Sequence, residues 1–212
     1  SSIYISSSSS ATPPGSFLAQ GAEGNALNTT SQALTDALKV ERTRSYEIGT
    51  KWNLFGGGLG LTLAAFQTET KNARATAEGG VVAFIGERRI RGVEFGYNGN
   101  ITDQWSVFGG YTYMDAVIVD GGITTTTVAG VPYYAPAVTT GSPFPNTPRH
   151  SFTAFTNYAV TPQFTLGGGA IYNSKVYGSI GEVGARTVSN GVVVLPRTLE
   201  RMVPGYWRFD AN

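Results

Sequence analysis

From Arg91 to Asp115 the chain reads RGVEFGYNGNITDQWSVFGGYTYMD, and its apolar residues fall on alternate positions. Val93, Phe95, Tyr97, Gly99 and Ile101 are separated by Gly92, Glu94, Gly96, Asn98 and Asn100, a period of two that belongs to a β-strand. Thr102-Asp103-Gln104 breaks the run. Trp105, Val107, Gly109, Tyr111 and Tyr113 resume it, opposed by Ser106, Gly110 and Thr112 and, less tidily, by Phe108 and Met114. The pattern predicts an antiparallel hairpin around a tight turn. Each alternating stretch, Val93 to Ile101 and Trp105 to Tyr113, is close to the roughly 9 to 11 residues with which a tilted strand crosses a bilayer. Trp105 at one end of the apolar row and Tyr111 and Tyr113 at the other suit the two aromatic belts of a membrane barrel. A hairpin of a soluble sandwich fits the same residues, so this stretch alone leaves both readings open.

The same pattern recurs along the chain. Residues 1–10 read as the end of a strand running into a polar tract, and 11–42 as a long segment with a short helical spacing at Ala33 to Leu38. Thr43 to Phe55 is the cleanest alternation, with Tyr46, Ile48, Thr50, Trp52 and Leu54 against Ser45, Glu47, Gly49, Lys51 and Asn53. Further strands are predicted from Leu59 to about Asn72, over His150 to Val160, from Phe164 to Tyr172 and over Pro204 to Asn212. The connections alternate strictly: long at 11–42, 73–85, 119–146 and 179–203, short at 56–58, 102–104 and 161–163. Such alternation gathers all short turns at one end of the sheet and all long loops at the other, as in an outer-membrane barrel. A Greek-key sandwich has no reason to segregate them, and no motif repeats at a fixed period as in a propeller.

Composition narrows the field further. The chain has 212 residues with 28 glycines, 14% charged residues and a formal net charge of +1, which leaves little for a solvated surface, and no nucleic-acid partner is expected. There is no cysteine, hence no disulfide framework or thiolate metal site. No stretch approaches 18 consecutive apolar residues, and Ser1 is not followed by the features of a signal peptide, which suggests a mature form or a start within a longer protein. His150 is the only histidine, so it offers neither a metal cluster nor a triad; it marks the start of a strand. No catalytic residue is expected. Glu94, Glu47 and Lys51 oppose the apolar row, which in a membrane barrel places them in the lumen, hydrated or paired with one another.

The runs RSYEIGTKWNLFGGGLGLTLAAFQTETKNAR, RRIRGVEFGYNGNITDQWSVFGGYTYMDA, PNTPRHSFTAFTNYAVTPQFTLGGGAIYNSKVYG and VPGYWRFDA resemble the later barrel strands of TonB-dependent siderophore receptors, most closely those of the catecholate type. The ordered set YEIGTKW, RGVEFG, GYTYMDA, NTPRHSF and VPGYWRFD carries the resemblance over nearly all of residues 43–212. It implies a 22-stranded barrel in the outer membrane, filled by an N-terminal plug and energised through TonB, with ferric siderophore, outer-membrane lipid and lipopolysaccharide as partners. About eight of those strands are expected here, as an all-β antiparallel barrel wall with short periplasmic turns and long extracellular loops. Residues 1–212 are then one partial barrel domain, without the plug or the final strands. A complete eight-stranded barrel serving as a passive pore or structural protein is the alternative.

Iron in this family is held by the siderophore, so neither a metal site nor a cofactor is expected. A ferric catecholate is anionic and carries planar rings, and basic or aromatic side chains at the mouth would attract it. The candidates are Arg88 and Arg89, where a strand emerges above the membrane, and Tyr133 and Tyr134 in the long loop. The arginines also suit lipopolysaccharide phosphates or water, and the tyrosines also suit a loop folded on itself.

Overall fold

The computed structural model describes residues 1–13, 39–76 and 82–212. The helical spacing at Ala33 to Leu38 lies outside them. Eight strands form one antiparallel sheet: β1 (Ser2–Thr12), β2 (Glu41–Leu54), β3 (Leu59–Thr76), β4 (Val82–Thr102), β5 (Trp105–Asp120), β8 (His150–Thr161), β9 (Phe164–Asn173) and β14 (Tyr206–Ala211). Within the connections lie β6 (Ile123–Val128), β7 (Val131–Pro136), β10 (Val176–Val183), β11 (Thr187–Ser189), β12 (Val192–Val194) and β13 (Arg197–Val203). Each long strand pairs with the next long one along the chain, and β1 and β14 are the two edges of the sheet. Among the described residues nothing joins the two edges, and eight strands so arranged are an open wall, which argues against the small closed barrel.

Directly paired residues of an antiparallel ladder share a face. The pairing Ile3–Thr50–Leu63–Phe95–Tyr111–Phe152–Tyr172–Trp207 therefore runs one row across all eight strands. Tyr46, Ile48, Trp52, Val93, Trp105 and Val107 lie on the same face, as the alternation predicts. That face stays open: Ile48 is 53% and Leu63 43% exposed, an exposure that water would penalise and hydrocarbon would not. The opposite face carries Tyr4, paired with Gly49, and beyond it Ala64, Glu94, Thr112, Ser151, Asn173 and Tyr206. Phe108 and Phe155 break its polarity, stacked at 4.9 Å near the short turns.

The short turns fall at 55–58, 103–104 and 162–163, all at one end. At the first, Gly56 (φ 66°) and Gly57 (φ 101°) take the left-handed conformations that reverse the chain after Phe55. At the other end the strands are taller than expected. The predicted connection 73–85 is mostly strand, because pairing resumes beyond a bulge and only residues 77–81 remain between β3 and β4. Asn72 (φ 54°) absorbs the extra residue there, a conformation that asparagine tolerates better than most side chains. The serine run also pairs in full, Ser6 to Ser10 facing Glu47 to Thr43.

The two longest connections are hairpins rather than irregular loops. β6 and β7 turn through Ala129-Gly130, both at positive φ, and β11 and β12 turn through Asn190-Gly191 in the same way. β10 and β13 pair from Val176–Val203 upward. Between β5 and β10 the chain at 141–146 closes the wall: Ile118 N–H donates to the Ser142 carbonyl at 2.9 Å, Phe144 N–H to Ala116 at 3.1 Å, and Asn146 N–H to Tyr177 at 2.7 Å. Ala116 and Ile118 are buried there.

Candidate functional site

The rim that bears the long connections is built from the upper ends of β2 to β5 and from the segment leading into β8 and β10. On its polar face a hydroxyl ladder links the strands, with Thr43 and Thr70 joined at 3.0 Å and Ser45 and Thr68 at 2.9 Å. Arg88 belongs to this face. It pairs with Thr70 and Ile118 in the ladder, and its guanidinium lies 3.8 Å from the Glu41 carboxylate.

Arg89, the next residue, points to the apolar face, where it pairs with Glu69 and Val117, and its Nε is buried without a hydrogen-bond partner among the described residues. The two arginines thus sit on opposite sides of the wall, a consequence of the strand period that adjacency in sequence conceals. Arg91 shares the face of Arg89 and donates to Asp115 at 3.2 Å, while Arg149 donates to the other oxygen of the same carboxylate at 3.3 Å.

Tyr133 and Tyr134 lie on β7, paired with Thr126 and Thr125. Tyr134 is 70% exposed and Tyr133 half-buried, so alternate faces of the hairpin present one ring each. The hairpin stands on Gly121 and Gly122, close to where Glu87 pairs with Asp120, which puts it on the same rim as Arg88. No hydrogen bond or ion pair joins the two arginines to the two tyrosines among the described residues. Sequence reasoning missed a cleft of about 250 Å³ lined by Met114, Ala116, Arg149, His150, Lys175 and Tyr177, among others. Its signal in the sequence was slight, since it is made by the segment 141–149 folding beside β5. Further round the rim, Glu182 and Arg186 are joined by hydrogen bonds of 2.6 to 3.0 Å, and Arg186 holds the Glu182 carboxyl below the usual carboxylate range by that bonding.

His150 opens β8, as expected, and its Nδ1 is 2.8 Å from the Tyr111 hydroxyl on the apolar face. Trp105 Nε1 donates to Thr156 Oγ1 at 2.7 Å near the short turns. These polar handles mark the upper and lower limits of the apolar band, where amphipathic rings are wetted at one end. On the polar face, the Tyr4 hydroxyl donates to Glu47 at 2.6 Å, and Lys51 Nζ lies 5.2 Å from the Tyr4 ring. Arg208 pairs with Asp210 at 3.0 Å on the same side of the sheet.

A family model described as "TonB dependent receptor-like, beta-barrel" matches residues 1–212. The chain belongs to the TonB-dependent receptor family. It is 33% identical over 210 residues to the probable TonB-dependent siderophore receptor PiuA of Acinetobacter baumannii, covering 99% of this chain and 25% of that protein. The catecholate siderophore receptor Fiu of Escherichia coli K12 is 34% identical over 214 residues, with 99% and 26% covered. The crystal structure of PiuA superposes with a TM-score of 0.67 at 32% identity, over 99% of this chain and 26% of that one. The chain thus spans about a quarter of the length of these relatives. TonB-dependent receptors are β-barrels of the Gram-negative outer membrane and transporters rather than enzymes. The apolar face is accordingly the lipid-facing one, and the polar face looks into the barrel.

Proposed function

We propose that this chain is a wall segment of a receptor that captures an anionic ferric siderophore, of the catecholate type, and imports it with energy drawn through TonB. The observation that carries the reading is the identity, over 99% of the chain, to relatives named as siderophore receptors, one of them for catecholates. On this reading residues 1–212 are one part of a 22-stranded barrel domain, and the plug and the TonB-contacting segment belong to other parts of the receptor.

Capture takes place at the long-loop rim, which a ligand arriving from outside meets first. Arg88 on the inner face supplies positive charge, and Tyr133 and Tyr134 offer rings against which catechol planes lie. Arg89 adds to the field from the outer side of the wall.

The test is binding and uptake of an iron-labelled ferric catecholate by the full-length receptor in cells. Arg88→Gln is expected to weaken capture several-fold at low salt and less at high salt, because exposed charges are screened over about 10 Å at 0.1 M. Tyr133→Ala with Tyr134→Ala is expected to weaken capture at both salt concentrations. Asp103→Asn in a short turn should change neither. Unchanged capture in both rim variants would remove these residues from the site, and uptake that survives a protonophore would contradict import energised through TonB.

A further inference from the structure

Above His150 the wall loses its regular ladder. β8 starts at His150, so the upper part of β5 has the segment 141–149 as its neighbour. That segment holds Pro143, Pro145 and Pro148, which have no N–H to give to a ladder, and Asn146 at a φ of 54°. It bonds to β5 down to Phe144, whose N–H donates to the Ala116 carbonyl at 3.1 Å, and again at its foot, where Met114 N–H donates to the Arg149 carbonyl at 2.9 Å. Between these contacts residues 145–148 arch away toward β10. The Asn146 N–H bond to the Tyr177 carbonyl at 2.7 Å and a bridge from Pro145 to the same residue hold them there. Below the arch, His150 N–H donates to Ser174 Oγ at 3.0 Å and Ser174 N–H to the His150 carbonyl at 2.9 Å. The cleft of about 250 Å³ is the space this arch leaves. Met114 and Ala116 line it and alternate with the lipid-facing Tyr113 and Asp115, so it lies on the inner side of the wall.

Its lining joins apolar surface to a few polar atoms. Met114, Ala116, Pro143 and Tyr177 supply the first, Ser174 and Lys175 the second. Ser174 Oγ accepts from His150, and its own proton has no acceptor among the described residues. Lys175 is exposed and makes no ion pair among the described residues, whereas Arg149, also at the cleft, is committed to Asp115. One ammonium without a counter-charge and one free hydroxyl proton thus stand beside a thioether and a phenol ring, groups that pack well against an aromatic face. Size sets the upper limit. A cavity of about 150 Å³ holds benzene, whereas drug-sized ligands take pockets of roughly 300 to 1,000 Å³. One six-membered ring with its substituents fits here, and a metal complex of several rings does not. We propose that the cleft binds a single aromatic ring bearing an anionic group, the chemistry of a hydroxybenzoate, presented as a free acid or as one arm of a larger ligand. The ring lies against Met114 and Tyr177, its anionic group meets Lys175, and the Ser174 hydroxyl is the second donor. Three prolines and the backbone bonds on either side fix the walls, so little ordering is needed when the ring enters. The assignment rests on the cleft alone and stands apart from capture at the Arg88 rim.

Fluorine NMR of 5-fluorosalicylate added to the purified full-length receptor in detergent, with empty micelles as background, tests the assignment. Broadening of the probe signal is expected to saturate with a dissociation constant on the order of 1 mM, the range open to so small a ligand. Lys175→Gln should weaken binding about threefold to tenfold, the loss of one exposed charge-assisted contact. Ala116→Leu, which fills the cleft from β5, should abolish the saturable broadening. Lys51→Gln, the same change elsewhere on the inner face, should leave it unaltered. Benzoate should displace the probe, while benzyl alcohol, a ring without charge, and inorganic phosphate, a charge without a ring, should not. Displacement by a ferric catecholate complex would mark the ring as one arm of a larger ligand, and benzoate displacing the probe where the complex does not would mark a free acid. Unchanged binding in Lys175→Gln overturns the proposal, as does displacement by benzyl alcohol or phosphate as strong as that by benzoate. Should Ala116→Leu fail to assemble, judged by heat-modifiable migration, Lys175→Gln and the competitors on the unaltered receptor still decide. Ferric catecholate uptake is a separate measurement, and its failure would leave this result standing.

Discussion

Gly49 shows how a single residue sets the inner face. Its neighbour across the ladder is Tyr4, and a Cβ placed on Gly49 would lie 2.5 Å from the Tyr4 ring, which is held over it by the hydroxyl bond to Glu47 and the Lys51 ammonium. The glycine is there for close approach, not for a special backbone angle. Gly49→Val in the full-length receptor is expected to lower stability by roughly 1 to 3 kcal/mol, the usual range for overpacking. Tyr4→Ala combined with Gly49→Val should restore most of that loss. Urea unfolding in lipid vesicles measures both, and a double variant no more stable than Gly49→Val would show that the ring is not what the added side chain meets. The alternation of the first ten residues carries no hint of this contact, because it is made only when β1 pairs with β2.

At the scale of the strand, alternation assigns each side chain to lipid or lumen. Leu63 and Thr62 are adjacent on β3 and both exposed, yet Leu63 stands in the apolar row with Phe95 and Thr62 opposite it beside Gly96. Leu63→Arg is expected to cost about 2 to 4 kcal/mol near the bilayer midplane, while Thr62→Arg, facing the lumen, costs far less. Folding equilibria of the two variants in vesicles check this, and equal costs would mean that the faces are assigned wrongly. The same period explains the split of Arg88 from Arg89, which puts one on the inner face of the wall and the other on the outer.

For the whole sheet, the consequence lies at its edges. β1 and β14 each present one unpaired row of backbone groups, and the lipid-facing surface between them carries exposed Ile5, Ile48, Leu63 and Phe209. As a separate polypeptide, residues 1–212 are expected to aggregate through these edges. In vesicles they should give no heat-modifiable band, whereas the full-length receptor should. A monomeric, heat-modifiable 1–212 would instead mean that β1 and β14 can join, and would revive the small closed barrel.

The alternating residues by themselves determined the class, the eight long strands and the end of the sheet to which each connection belongs. Side-chain direction in a strand repeats every two residues, so lipid on one side and lumen on the other write themselves into the order of residues. The tyrosine and tryptophan belts were legible for the same reason. Less was legible above the membrane. The β6–β7 and β11–β12 hairpins read as irregular loops, although the β-branched run Thr124 to Val128 and the Asn190-Gly191 pair were their local signals. The height of β3 and β4 depended on a bulge at Asn72 that keeps the pairing in register after an extra residue. The cleft beside Lys175, the bracketing of Asp115 by Arg91 and Arg149, and the seat of Tyr4 on Gly49 join residues up to 63 positions apart or on strands that the chain reaches only after a long connection. Such contacts have no period. They are decided by ladder register and by how the connections fold back over the rim, which only the tertiary structure supplies.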